Sequence, residues 1–208
     1  MKIIKPSYTI YNPPTEASLL TKIESCGRVC YKSEDKITPE SAAKFVAGII
    51  KRGHEAVLEH AYLTVKFICD RGVTHEIVRH RLANYCQEST RYCNYSQDKF
   101  GNEITFIEPC FWKDPSNEYG LWKCACQNAE DMYFGLIKLG ATPQEARSVL
   151  PNSLKTELVM TANIREWRHF FKLRCSSAAH PQMREIASMV LLDFQNRYPV
   201  LFGDIEIG

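Results

Sequence analysis

Between Arg79 and Tyr92 the chain crowds three arginines, a histidine, a serine and two carboxamides into what reads as one helix end and the loop after it. A guanidinium does not shed its charge by deprotonating, and burying one unpaired is costly. A fold that accommodates this stretch must hold these arginines at its surface or bring anions to them. The formal net charge is only +2. That argues against a strongly electrostatic nucleic-acid or membrane binder, so any anion site has to arise from local clustering.

Hydrophobic spacing organises the rest of the chain. An Ile-rich, alternating start predicts a strand over about 2–11, stopped by Pro13-Pro14. Thr15 reads as a helix cap ahead of Leu19, Leu20, Ile23 and Cys26. Thr38-Pro39-Glu40 opens a second helix that buries Phe45, Val46, Ile49 and Ile50 and ends at Gly53. Residues 54–60 form a polar loop or short turn, and 63–69 alternate as a strand. Asp70-Arg71-Gly72 begins a helix expected to run to Leu82. A short strand follows at 104–107, and Asp114-Pro115 opens a long helix to Gly140. Thr142-Pro143-Gln144-Glu145 is a capping box for a short helix to about Leu150. After a strand at 157–162, Asn163-Ile164-Arg165-Glu166 is a second capping box, opening a helix to Arg174. A last helix spans about 181–197. With 208 residues, no repeats or linkers and a mixed element order, the chain 1–208 reads as one α+β domain.

Two arginines fall in unexpected places. Projected as a helix, 72–82 has its apolar arc at Val73, Ile77, Val78 and Leu82, and Arg81 lies inside it. In the helix 164–174, Arg174 projects between Trp167 and Phe170, while Arg165, Arg168, His169 and Lys172 lie on the other face. Either residue could snorkel at a helix C-terminus, where the dipole favours cations. Both together, beside a loop rich in donors, point to a bound anion. Ser89, Thr90 and Arg91 suit a phosphate, with Arg147 as a further candidate. Tyr85, Tyr92 and Tyr95 could stack on a planar ring or simply pack.

His54-Glu55 and Glu59-His60 invite a zinc reading, but their histidines stand six apart, whereas HExxH needs four on one helix face. His54 touching a bound ring and Glu59 a ribose or amide is the better expectation. Cys86 has basic neighbours but no evident general base, so it reads as a small filler rather than a nucleophile. The nine cysteines lack paired CxxC spacing. With no signal peptide at the start and no apolar run of membrane-spanning length, they read as reduced thiols in the cytoplasm.

Taken together, these residues resemble the flavin-dependent thymidylate synthases, the thymidylate synthase complementing protein family. The resemblance covers nearly the whole chain. It rests on Arg79-His80-Arg81 followed by Ser89-Thr90-Arg91, supported by His54-Glu55, Glu59-His60, Arg147 before Leu150-Pro151, Asn163-Ile164-Arg165 and Arg174. It implies an α+β fold with a mostly antiparallel sheet flanked by helices. It also implies conversion of dUMP to dTMP, with methylenetetrahydrofolate as carbon donor and NADPH as reductant, through bound FAD. The implied assembly is an intracellular homotetramer with sites built between subunits; the histidine spacing, low net charge and lack of a long apolar run argue separately against a metal, nucleic acid or a membrane.

On the cofactor side the resemblance implies Arg79, His80, Arg81, Asn163, Arg165 and His169, joined by His54, Ala56, Glu59 and Gln87. On the dUMP side it implies Glu76, Arg79, Gln87, Ser89, Thr90, Arg91 and Arg147. Arg174 would face the uracil and favour its N3-ionised form. The sequence departs from the commoner pattern at Asn84, which is usually serine, at Gln87, often glutamate, and at Glu76, usually glutamine. Ala56 stands where a hydroxyl often meets FAD. A carboxylate at Glu76 near phosphates needs a neutralising arginine.

Overall fold

Pro6 cuts the amino-terminal apolar run in two. It has no N–H to give to a strand ladder, so the single strand expected over 2–11 becomes β1 (Lys2–Ile4) and β2 (Ser7–Tyr11), in different sheets. The structure, a computed structural model, describes residues 1–98 and 101–208. In order, the chain continues with α1 (Glu16–Val29), α2 (Ser41–Lys51), β3 (Tyr62–Asp70), α3 (Arg71–Ile77), β4 (Ala83–Gln87) and β5 (Thr105–Ile107). Then come α4 (Asn117–Lys138), α5 (Pro143–Ala146), β6 (Lys155–Asn163), α6 (Ile164–Arg174), α7 (Pro181–Arg197) and α8 (Pro199–Phe202). The fold is α+β.

β1 pairs in parallel with β5, Ile3 opposite Phe106. The other sheet has the order β2-β3-β6-β4. β3 and β6 run antiparallel: Ile164 donates to the Ala61 carbonyl at 2.9 Å, and at the other end Arg71 donates to that of Leu154 at 3.1 Å. Burial alternates along both strands, with Leu63, Val65, Phe67 and Cys69 buried on β3 and Leu158, Met160 and Ala162 on β6.

The contacts gather into two compact units, each built from separate stretches of chain. The first comprises Met1–Ser7, Phe67–Arg79 and Cys86–Val159. Its core packs Ile104, Phe106, Cys126, Tyr133 and Leu154 together. Ser116, rather than Asp114, caps α4, its Oγ accepting from the Tyr119 amide at 3.1 Å. The hydroxyl meets an otherwise orphaned N–H and sets the helix start. The capping box at Thr142 forms as expected, with Glu145 Oε2 accepting from the Thr142 amide at 2.8 Å.

The second unit comprises Tyr8–Lys66, His80–Tyr85 and Met160–Gly208. α1 and α2 approach closely at Gly27, where a Cβ would come within 2.7 Å of the Phe45 ring. α2 starts at Ser41, two residues after Pro39, because the Ser41 Oγ accepts from the Thr38 amide and donates to the buried Glu24. Gly53, at φ 71°, follows the end of α2 as expected. α6 lies against α7 through Trp167, Phe171 and Phe194, with Trp167 Nε1 donating to the Leu63 carbonyl at 3.0 Å. Residues 55–60 form a 3-10 turn.

Two helical projections need correction. α3 stops at Ile77, not Leu82, because 83–87 joins the sheet as β4. The next residue, Glu88, donates to the Glu157 carbonyl at 2.8 Å. Ladder hydrogen bonds replace those that a longer helix would have made. Arg81 therefore sits on no apolar helix face and is exposed, as is Leu82. On α6 the buried arginine is Arg168, which the projection put on the polar face. Its guanidinium closes on Asp204 through two bonds of 2.7 Å, and Nη1 also donates to the Leu201 carbonyl. Arg174 is only partly buried, and Leu173 is exposed.

Candidate functional site

Each unit carries a cavity with the chemistry to hold an anion. In the first, the segment after β4 is pinned by Glu88, which accepts from Lys155 Nζ at 2.9 Å and from the Tyr95 hydroxyl at 3.2 Å. The Ser89 carbonyl then accepts from Tyr92 and Cys93, and its Oγ from the Arg91 amide at 3.3 Å. This turn carries Thr90 into the interior, where Arg147 Nη1 donates to its Oγ1 at 3.0 Å. Arg71, Thr90, Gln144, Arg147, Ser148, Leu150 and Leu154 line a cavity of about 420 Å3. Arg71 Nη1 is buried and has no partner among the described residues. A buried guanidinium nitrogen without an acceptor is costly, and the cavity therefore offers an anion an unfilled donor.

Arg71 was not among the residues expected from the sequence, although a signal existed. A cation in the first turn of a helix opposes the dipole, and Arg71 opens α3 directly after its cap Asp70, whose Oδ1 accepts from the Val73 amide at 2.8 Å. Gln87 spends its amide nitrogen inside the unit, on Thr74 Oγ1 at 3.0 Å and Thr156 Oγ1 at 3.4 Å. Arg79 and Arg91 are exposed, Arg91 lying 5.5 Å over the Tyr92 ring. Glu76 is half-buried on α3. Of the dUMP-side residues, Thr90 and Arg147 line the cavity; Glu76, Arg79, Gln87, Ser89 and Arg91 do not.

The cleft of the second unit, also about 420 Å3, is lined by Glu55, Leu82, Asn163, Arg165, Glu166, His169 and Lys172. Asn163 caps α6, its Oδ1 accepting from the Glu166 amide at 2.8 Å. Arg165 pairs with Glu59 at 2.6 Å, and Lys172 with Glu55 at 3.8 Å. His54, Ala56 and Arg81 are exposed and do not line this cleft. Asn163, Arg165 and His169 are thus brought together from the cofactor-side set, with Glu59 attached through Arg165.

His80 is the buried member of Arg79-His80-Arg81. Its Nδ1 lies 2.8 Å from Glu166 Oε1, Arg174 Nε donates to its Nε2 at 3.1 Å, and the Tyr85 hydroxyl donates to its carbonyl at 2.6 Å. The ring edge packs on Phe170. Burial lowers the His80 pKa, and Arg174 and His169 push the same way against Glu166. Desolvation raises the Tyr85 phenol to about 12. His80, Glu166 and His169 place ligand atoms within 4.8 Å of one another, close enough for a metal ion. The Arg174 guanidinium on Nε2 makes that point unfavourable for a cation. Sequence spacing assigned Glu166 to a capping box; instead, its carboxylate goes to His80.

The family model described as "Thymidylate synthase complementing protein" matches residues 17–200. A "Flavin-dependent thymidylate synthase" of Pyrococcus furiosus is 35% identical over 167 residues, covering 80% of this chain and 68% of that protein. One from Geobacter sulfurreducens is 31% identical over 205 residues, covering 95% and 85%. The crystal structure of the UMP/dUMP methylase PolB from Streptomyces cacaoi, bound with 5-Br dUMP, superposes with a TM-score of 0.77 at 19% identity, over 98% of this chain and 96% of that one. That likeness concerns the fold. On the family match and these relatives, the chain belongs to the thymidylate synthase complementing protein family.

Proposed function

We propose that this chain makes dTMP from dUMP by flavin-dependent reductive methylation, with methylenetetrahydrofolate as carbon donor and NADPH as reductant. The observation that carries the reading is the unpartnered, buried Nη1 of Arg71 in a cavity shared with Arg147 and Thr90. A nucleotide phosphate supplies the acceptors these donors lack. Ser89 and Arg91, on the turn beside Thr90, extend the same grip. The family relationship and the names of the relatives support flavin dependence.

The cleft lined by Asn163, Arg165, His169 and Lys172 fits part of an FAD molecule, because it offers two cations, an imidazole and a helix start. The Arg165–Glu59 pair has side chains 49% and 42% exposed, so opening it toward a pyrophosphate costs about 1 kcal/mol or less. Bound FAD would supply the hydride. Arg71, Arg147 and Thr90 hold the phosphate, and in an assembly whose sites are built between subunits an Arg174 polarises the uracil toward its N3-ionised form. Hydride chemistry of this kind requires no cysteine nucleophile, and Ser89 binds phosphate rather than attacking carbon.

The working form is a homotetramer in the cytoplasm. Leu121 and Met132 share one stripe of α4, with Leu139 at its C-cap, and the three are 74%, 59% and 87% exposed, which supports an assembly that covers them. No described helix is long and apolar enough to cross a membrane.

The deciding experiment is the visible spectrum of the purified protein, followed by FAD titration and an assay for NADPH-dependent dTMP formation from dUMP. A flavin band released on denaturation, together with turnover, is expected. Failure of added FAD both to bind and to support turnover would sink the assignment.

A further inference from the structure

We infer that Glu166 and His80 are positioning residues that fix the direction of the Arg174 guanidinium by locking His80 in a single tautomer. The inference rests on the reading of Arg174 as the uracil-facing arginine.

An arginine Nε can only donate. Because Arg174 Nε lies 3.1 Å from His80 Nε2, that nitrogen must present its lone pair. The hydrogen of the neutral ring then sits on Nδ1, 2.8 Å from Glu166 Oε1, and donates to the carboxylate. Glu166 is buried, as is His80, and Arg174 is partly buried, so the three groups form a chain whose first two members are shielded from water: carboxylate, imidazole, guanidinium. Each link has one polarity. If the ring took the other tautomer, it would set an N–H against an N–H at Arg174 and leave a lone pair against the carboxylate; if it turned over, carbon would replace nitrogen at both contacts. A carboxylate behind an imidazole sets the tautomer of catalytic and metal-binding histidines in the same way. Here the group being aimed is an arginine.

The arrangement also has a protonation limit. A doubly protonated His80 has no lone pair for Arg174 and adds a positive charge beside it. The charged and titratable groups facing the ring are Glu166, His169 and Arg174 from α6, with Tyr85 of β4 on the His80 carbonyl. Burial and Arg174 hold the ring neutral, and Glu166 alone among these pulls toward the protonated form. Removing the Glu166 charge should therefore move the point at which the relay breaks to lower pH.

The first measurement is the imidazole nitrogen NMR spectrum of the 15N-labelled, FAD-loaded protein at neutral pH. His80 should show a protonated Nδ1 and an unprotonated Nε2. A proton on Nε2 would overturn the inference. The second is Glu166→Gln, which keeps the shape and an acceptor oxygen while removing the charge. Turnover should fall about 10- to 100-fold, the range for losing a carboxylate behind a functional histidine, FAD content should be kept, and the acid limb of the kcat profile should move to lower pH. Wild-type turnover, or a loss of turnover with an unmoved acid limb, would reduce Glu166 to a packing residue and refute the relay. The underlying reading has a separate signature. If Arg174→Ala retains turnover, Arg174 is not the uracil-facing group and the relay has no catalytic purpose. If Arg174→Ala is inactive while Glu166→Gln behaves as wild type, only the relay fails.

Discussion

Arg147 reaches across the first unit to donate to the hydroxyl of Thr90 at 3.0 Å, in the cavity where Arg71 holds a buried nitrogen without an acceptor. The two guanidiniums differ: one is partly satisfied within the chain, whereas Nη1 of the other has no acceptor among the described residues.

Arg71→Met should separate binding from stability. Losing a charge-assisted hydrogen bond costs about 1.5–3 kcal/mol, so dUMP affinity should fall about 10- to 100-fold. Removing an orphaned donor should leave the ligand-free protein at least as stable as the wild type. Calorimetric titration with dUMP and thermal melting of the ligand-free protein check the two halves. Unchanged affinity would remove Arg71 from the site.

Arg174→Ala should nearly abolish turnover while largely sparing bound FAD. The side chain belongs to the chain from Glu166 through His80 and lines neither cavity. Flavin absorbance after gel filtration, set beside dTMP formation, tests this. Loss of FAD would contradict the assigned role.

Asp204→Asn should destabilise the fold by about 1–3 kcal/mol: Arg168 is buried and loses a charged acceptor, but the Asp204 side chain is 51% exposed and Glu55 remains at 3.4 Å from Arg168 Nε. Arg168 holds the Asp204 carboxyl below its ordinary 3.8. A lowered carboxylate pKa contributes stability that is present above 3.8 and lost as pH falls through the folded-state value. Urea titrations at neutral and acid pH should show a gap between wild type and variant that narrows in acid. A constant gap would assign the effect to packing.

His80 adds its own pH dependence. Its pKa lies below 6.5 in the folded protein, so the unfolded chain binds the extra proton first. Stability should therefore fall as pH drops from 6.5 toward the folded-state value. His80→Gln should melt with a shallower dependence over that window, and an identical slope would show that His80 does not titrate there.

The local signals in the sequence carried far. α7 matches its expected span, β3 and β6 extend theirs by a residue or two at each end, and Thr15, Thr142 and Asn163 each sit at the cap of a helix. Period and capping chemistry act between residues a few positions apart, so the chain displays them directly. The ordered motif from Arg79 to Arg91, with Arg147, Asn163 and Arg174, was enough to indicate the family.

What the sequence could not display were partners chosen at a distance. The end of α3 was decided by pairing with β6, which turned residues 83–87 into a strand and left Arg81 in solvent. Asp204 made Arg168, rather than Arg174, the buried arginine of α6. Glu166 found its partner 86 residues away, and Arg71 reached a cavity lined by side chains far along the chain. Helical projection assumes that a helix continues and that one face is buried. Strand pairing and long-range ion pairs override both assumptions, because a buried charge or backbone N–H must find its partner wherever the fold provides one.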